Sequence, residues 1–250
     1  MAEDVGKKLD NAPRPPQHLN LFAFKAEPSS HHHGDERAAL EVFIPECVDA
    51  AHGAHTWPSA PVLAQYVWQR RREMPNKSVL ELGAGTALAG VVAAKCGAHV
   101  AFSDDAHAPA CLDSSRRSCE VNGVTDAEFI AITWGRFTRD LVALQRLDFI
   151  MASDCFYDAR DYEDIVVTVS FLLDKNPGAK FWCAYQERGA DESIEELLQR
   201  WEMKGTEIPL ASFHADSTSV AASHLPGRHT IRMLEITKMS PYTFVAGCVC

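Results

Sequence analysis

Apolar residues along this chain fall into two kinds of pattern that take turns. One kind is a short continuous run, as in Val79-Leu80-Glu81-Leu82, His99 to Ser103, Glu128 to Thr133, Leu147 to Ala152 and Lys180 to Tyr185. Such runs, bounded by polar or glycine residues, predict strands buried on both faces. The other kind repeats every three to four residues. After Ser59-Ala-Pro61, Leu63, Tyr66 and Val67 share a face; Ser59 suits a cap, Pro61 a first turn, and Pro75 stops the helix. Leu88 to Cys96 predicts a helix of small residues ending at Gly97, and Pro109 to Val121 another. Asp161 to Leu173 is amphipathic, with Tyr162, Ile165, Val166, Val169, Leu172 and Leu173 on one side. Ile194, Leu197, Leu198 and Trp201 keep the same spacing. Ala39 to Ile44 predicts an opening strand, and Glu207 to Leu210 and Thr230 to Thr237 closing ones.

Strand and helix alternating in this way predict an α/β fold: a doubly wound, Rossmann-like, mostly parallel sheet with helices on both faces. Residues 1–38 read as a disordered tail, because Asn11-Ala-Pro-Arg-Pro-Pro-Gln17 is rich in proline and polar groups. His31 to His33 have no neighbours that complete a ligand set, so they read as a solvated loop and no metal is expected. The domain is expected over 39–238, with 239–250 as a C-terminal extension.

Composition narrows the functions open to such a fold. Thirty-four acids against 24 bases give a net charge of −10. That disfavours direct nucleic-acid binding, which needs many Lys and Arg on phosphates, and leaves cationic partners open. None of the eight cysteines forms a C-x-x-C pair, so a zinc ribbon or thioredoxin motif has no support. No run approaches the roughly 18 apolar residues of a membrane span, and MAEDVGKKLD lacks the apolar core of a signal peptide. A cytoplasmic and nuclear protein with reduced thiols is expected, working as a monomer away from membranes.

The chemistry concentrates after the first core strand, in Leu80-Glu81-Leu82-Gly83-Ala84-Gly85-Thr86. Glycines there let a ligand approach the main chain. The dinucleotide fingerprint is not met, because its third glycine would fall at Leu88, and no G-K-[ST] follows for a phosphate loop. An acid at Glu81 instead suits a cationic ligand, such as an amino group or a sulfonium. Asp104, or the adjacent Asp105, ends the second strand where an acid can accept bonds from ribose hydroxyls. Trp134, in Thr133-Trp134-Gly135, offers a face for an adenine. An amino acid, a ribose and an adenine together make S-adenosylmethionine. After the fourth strand, Asp154 and Tyr157 of Ala152-Ser-Asp-Cys-Phe-Tyr157 stand where they can orient a nucleophile. Cys155 has no His/Asn set and reads as packing.

With these motifs assembled, the sequence resembles the seven-stranded class I methyltransferases, and within them the family-16 group of methyltransferase-like proteins. The residues that carry the resemblance include Thr56-Trp57-Pro58-Ser59-Ala60, Leu80 to Gly85, Ser103-Asp104, Thr133 to Gly135, Ala152 to Asp154 and Tyr185-Gln-Glu-Arg188. Leu225-Pro-Gly-Arg-His-Thr230 belongs to the same set. The resemblance implies S-adenosylmethionine-dependent methylation of protein side chains, lysine in many members. The group's nearest branch implies arginine on histone H3. It also implies that Trp57, Glu81, Gly83, Gly85, Asp104 and Trp134 line the cofactor site, and that Asp154 and Tyr157 match a D-x-x-[FY] motif tied to substrate and catalysis. The double-glutamate hairpin and T-H-W loop of the main arginine methyltransferases are absent from the sequence, so the arginine expectation rests on the resemblance. A lysine acceptor, a small-molecule methyltransferase and a catalytically weak cofactor-binding scaffold are the alternatives.

Overall fold

The structure, a computed structural model, describes residues 17–26, 39–47, 55–188 and 194–239. In chain order the strands are β1 (Gln17–Lys25), β2 (Ala39–Cys47), β3 (Ser78–Leu82), β4 (His99–Asp104) and β5 (Ala127–Ala131). β6 (Phe149–Ser153), β7 (Lys180–Gln186), β8 (Met203–Glu207) and β9 (Ile231–Lys238) follow. The helices are α1 (Ala60–Gln69), α2 (Leu88–Lys95), α3 (Pro109–Val121), α4 (Arg139–Ala143), α5 (Tyr162–Lys175) and α6 (Glu195–Arg200).

Strands β3 to β9 make one seven-stranded sheet in the order β5-β4-β3-β6-β7-β9-β8. β9 alone runs against its neighbours. The chain winds outward from β3 to β5, then crosses back to β6 on the other side of β3. Leu80, Leu82, Ile150 and Ala152 pack under α5 on one face, while Val79 and Met151 join the core beneath α1 and α2 on the other. This is the expected doubly wound layout.

Two expectations are corrected. The tail predicted over residues 1–38 contains β1, which pairs antiparallel with β2 and buries Phe22 and Phe24. The apolar run Leu21-Phe22-Ala23-Phe24 outweighs the proline-rich stretch before it; residues 1–16 and 27–38, with His31 to His33, lie outside the described residues. The penultimate strand lies at Met203–Glu207, not Glu207–Leu210, because Pro209 lacks an N–H for the ladder and leads into a 3-10 turn, Leu210–Phe213.

The β1–β2 ribbon forms a third layer. Phe22, Phe24, Val42 and Ile44 share a core with α1 and α2, and Trp68 packs on Phe24. The side chain of Asn122 at the end of α3 acts as an extra strand edge. Its Oδ1 accepts from the Phe43 N–H at 2.9 Å, and its Nδ2 donates to the Phe43 carbonyl at 2.6 Å. The ribbon explains why α2 is apolar all round: one side meets the sheet and the other meets β2.

Candidate active site

The strand order reverses between β4 and β6, on either side of β3. In such sheets the crevice beyond the carboxyl ends is where ligands bind. The loop after β3 occupies this point, with positive φ at Gly83 (59°), Gly85 (50°) and Ala87 (63°). A Cβ on Gly83 would lie 2.7 Å from Cys155 Sγ and 3.2 Å from the Trp134 ring, so only glycine fits there. The loop is held from several sides. The Ala84 N–H donates to the Ser103 carbonyl at 2.8 Å, and Ser115 Oγ donates to the Gly85 carbonyl at 2.9 Å. Thr86 Oγ1 meets Thr56 Oγ1 at 3.2 Å in a buried pair that ties the loop to the segment before α1.

Asp104 ends β4 beside this loop. Its Oδ2 accepts from the Gly85 N–H and its Oδ1 from the Asp105 N–H, both at 2.9 Å. Burial raises its pKa, against the pull of those two N–H groups. Asp105 reaches the loop after β5, accepting from Thr133 Oγ1 at 2.8 Å. Both acids line the same cavity. Trp134 stands over Gly83, its orientation fixed by the turn at Gly135 (φ 71°), whose N–H donates to Thr168 Oγ1 at 2.8 Å.

Glu81 differs from the expectation that it lines the cofactor site. Side chains alternate along β3, so Glu81 points with Val79 toward α2 and away from the crevice. Its carboxyl is buried and accepts from the Gly90 N–H at 3.0 Å. Burial pushes it up to about 8, against the Gly90 bond, and Asp104 adds to the rise. Glu81 therefore braces α2 beneath the loop.

Asp154 follows β6 with φ 53°, only 6% exposed. Its Oδ2 accepts from the Ser59 N–H and its Oδ1 from the Gln186 N–H, both at 3.0 Å. It thus clamps the start of α1 to the end of β7. Cys155 is buried, donates to the Leu82 carbonyl at 3.3 Å, and has its thiol pKa pushed well up by burial. This is the packing role expected of it. Tyr157 (48% exposed) and Trp57 (38% exposed) are aromatic rings left open at the cavity.

The structure brings all of the expected site residues except Glu81 to one cavity of about 530 Å³. It adds residues that sequence reasoning did not single out: Thr86 within the glycine loop, and Asp161, Asp164 and Arg188 on the segments after β6 and β7. Asp161 and Asp164 read only as the polar opening of an amphipathic helix. The lining carries five carboxylates (Asp104, Asp105, Asp154, Asp161, Asp164) against one guanidinium, Arg188. The size suits a drug-sized ligand. The glycine backbone, paired acids and indole suit S-adenosylmethionine, and the surplus of carboxylates suits its positive sulfur.

Comparison with known proteins agrees. A family model described as lysine methyltransferase matches residues 37–201. The chain is 48% identical to the mouse (Mus musculus) histone-arginine methyltransferase METTL23 over 87% of its own length and 85% of that protein's. It is 49% identical to the Homo sapiens protein of the same name, over 73% of this chain and 96% of that one. Among solved structures, the T. thermophilus 16S rRNA N2 G1207 methyltransferase in complex with AdoMet and guanosine superposes with a TM-score of 0.58 at 16% identity, over 92% of this chain and 53% of that chain. That likeness shows the fold.

Proposed function

The chain belongs to the lysine methyltransferase family, uses S-adenosylmethionine and, we propose, methylates an arginine side chain of a basic, histone-like protein. The observation that carries this reading is the acid-lined cavity with two half-open aromatic rings, set at the sheet's switch point. It is joined by the similarity to proteins named histone-arginine methyltransferases.

Bound S-adenosylmethionine would supply a methyl group on a positive sulfur: as the acceptor nitrogen bonds the methyl carbon, the sulfur–carbon bond breaks, sulfur keeps the electron pair as a neutral thioether, and the acceptor nitrogen gives up one proton to solvent. This chain's contribution is chiefly positioning, with reacting atoms brought to about 3–3.5 Å. The Gly83–Thr86 backbone and Trp134 would hold the nucleoside end, and Asp104 and Asp105 would accept from the ribose hydroxyls. Asp154 fixes the two segments that carry Trp57 and Arg188 around the cavity. Trp57 and Tyr157 wall the acceptor's approach and thin the water around the attacking nitrogen. The carboxylates favour a cationic acceptor and steer it from solution, so capture weakens with salt.

The second reading, a lysine acceptor, draws on the description of the family model. Labelled methyl transfer into a histone mixture and a whole-cell lysate, read by mass spectrometry, tests both. Label on arginine of a basic protein is expected; label on lysine selects the second reading, and label confined to small molecules overturns both.

A further inference from the structure

Asp154 was the carboxylate expected to hold the acceptor, yet it is buried and spends its oxygens on two main-chain N–H groups that tie α1 to β7. A different carboxylate in the cavity is uncommitted. Asp161 is partly exposed, lines the cavity, and precedes α5 with helical backbone angles (φ −97°, ψ −9°); Asp158, three residues earlier, caps the turn by accepting from the Arg160 N–H at 3.0 Å. The Asp161 carboxylate makes no cap bond and has no side-chain hydrogen bond or ion pair among the described residues. The nearest cation in sequence, Arg160, is spent on Asp158, its Nε donating to both oxygens at 3.0 and 3.1 Å. We propose that Asp161 is the residue that receives the acceptor's guanidinium, with the open ring of Tyr157 as the wall against which it lies.

Three features support this assignment. Asp161 and Tyr157 are four residues apart on the turn between β6 and α5, and both face one cavity. Burial raises the Tyr157 hydroxyl pKa, and Asp161 is the strongest of the charges that raise it further, ahead of Asp158 and Asp104. A planar guanidinium suits such a pair, with its fork on a carboxylate and its face on an aromatic ring. Asp164 also lines the cavity but is more exposed and rests against Gly135, beyond Trp134.

The inference rests on the reading that the acceptor is an arginine of a basic protein. Its test is steady-state methyl transfer to a histone-derived arginine peptide by wild type, Asp161→Asn, Asp161→Glu and Asp113→Asn. Asn keeps the helix-start preference of Asp, so the fold is retained. Asp113 is an exposed α3 acid paired with Arg116, and its variant controls for the loss of one charge. Asp161→Asn is expected to raise the peptide KM about 10- to 100-fold, with melting temperature and S-adenosylhomocysteine affinity unchanged. Asp161→Glu recovers part of the loss, and Asp113→Asn matches wild type. An active wild type with an unchanged KM in Asp161→Asn overturns this inference alone, as does a KM rise matched by Asp113→Asn. A wild type that methylates no arginine peptide overturns the reading of the acceptor, and this assignment with it.

Discussion

Removing the Asp154 carboxylate tests whether it clamps the fold or only touches substrate. In Asp154→Ala the Ser59 N–H is left buried without an acceptor, and the Gln186 N–H loses its partner in a part-buried position. A fully buried orphan donor costs about 1–3 kcal/mol, and one that water reaches costs less, so the variant should lose about 2–4 kcal/mol. For a chain of this size that lowers the melting temperature by roughly 4–16 °C. Asp154→Asn tolerates the left-handed backbone and keeps one acceptor, so it should lose roughly half as much. Thermal unfolding followed by circular dichroism, with and without S-adenosylhomocysteine, measures both. A residue that only binds the acceptor would leave the melting temperature of the free protein alone. If Asp154→Ala melts within about 2 °C of wild type, the clamp is refuted.

Gly83→Ala combines left-handed strain with the close approach to Cys155 and should lose about 2–5 kcal/mol; adding Cys155→Ala should return the steric part, and two variants whose losses simply add would deny the contact. Glu81, held near 8 when folded against an ordinary value of 4.5, binds its proton more tightly in the folded protein, so its contribution to stability is complete below about pH 4.5 and is lost as pH rises to about 8. Glu81→Gln should flatten the fall in melting temperature across that window, measured without cofactor, and an unchanged slope would place the titration elsewhere. Asp104→Ala should weaken S-adenosylhomocysteine binding about 10- to 100-fold by calorimetry. An affinity within about twofold of wild type would shift the ribose contact to Asp105.

Much of this was legible in the sequence because burial on both faces leaves its mark as continuous apolar runs. β3, β6 and β7 were read on that ground, and the glycines between β3 and α2 marked the crevice. Other features were hidden for identifiable reasons. β1 is a nine-residue strand whose signal is only two inward phenylalanines beside a proline-rich flank. Glu81 was assigned by its distance from the glycines, whereas the two-residue period of the strand already placed it with Val79 on the α2 side. Asp154 carries a positive φ and two main-chain partners from segments far apart in sequence, which no local pattern records. Asp161 looked like any polar residue opening a helix; that its carboxylate lines the cavity is visible only in three dimensions.

The ribbon of β1 and β2 also sets an order of events during synthesis. It is synthesised before the helices that cover it, yet a two-stranded hairpin alone is marginally stable in water. The surfaces that cover Phe22, Phe24, Val42 and Ile44 belong to α1 and α2, and the carbonyl that accepts the Ala23 N–H belongs to Ala221. At roughly 5–20 residues per second, that last partner arrives about 10–40 s after the strand it completes. Until α1 and α2 follow, the nascent ribbon carries an uncovered apolar stripe, and its Ala23 N–H waits longest for its partner. The ribbon is thus complete only when segments made well after it have folded onto it.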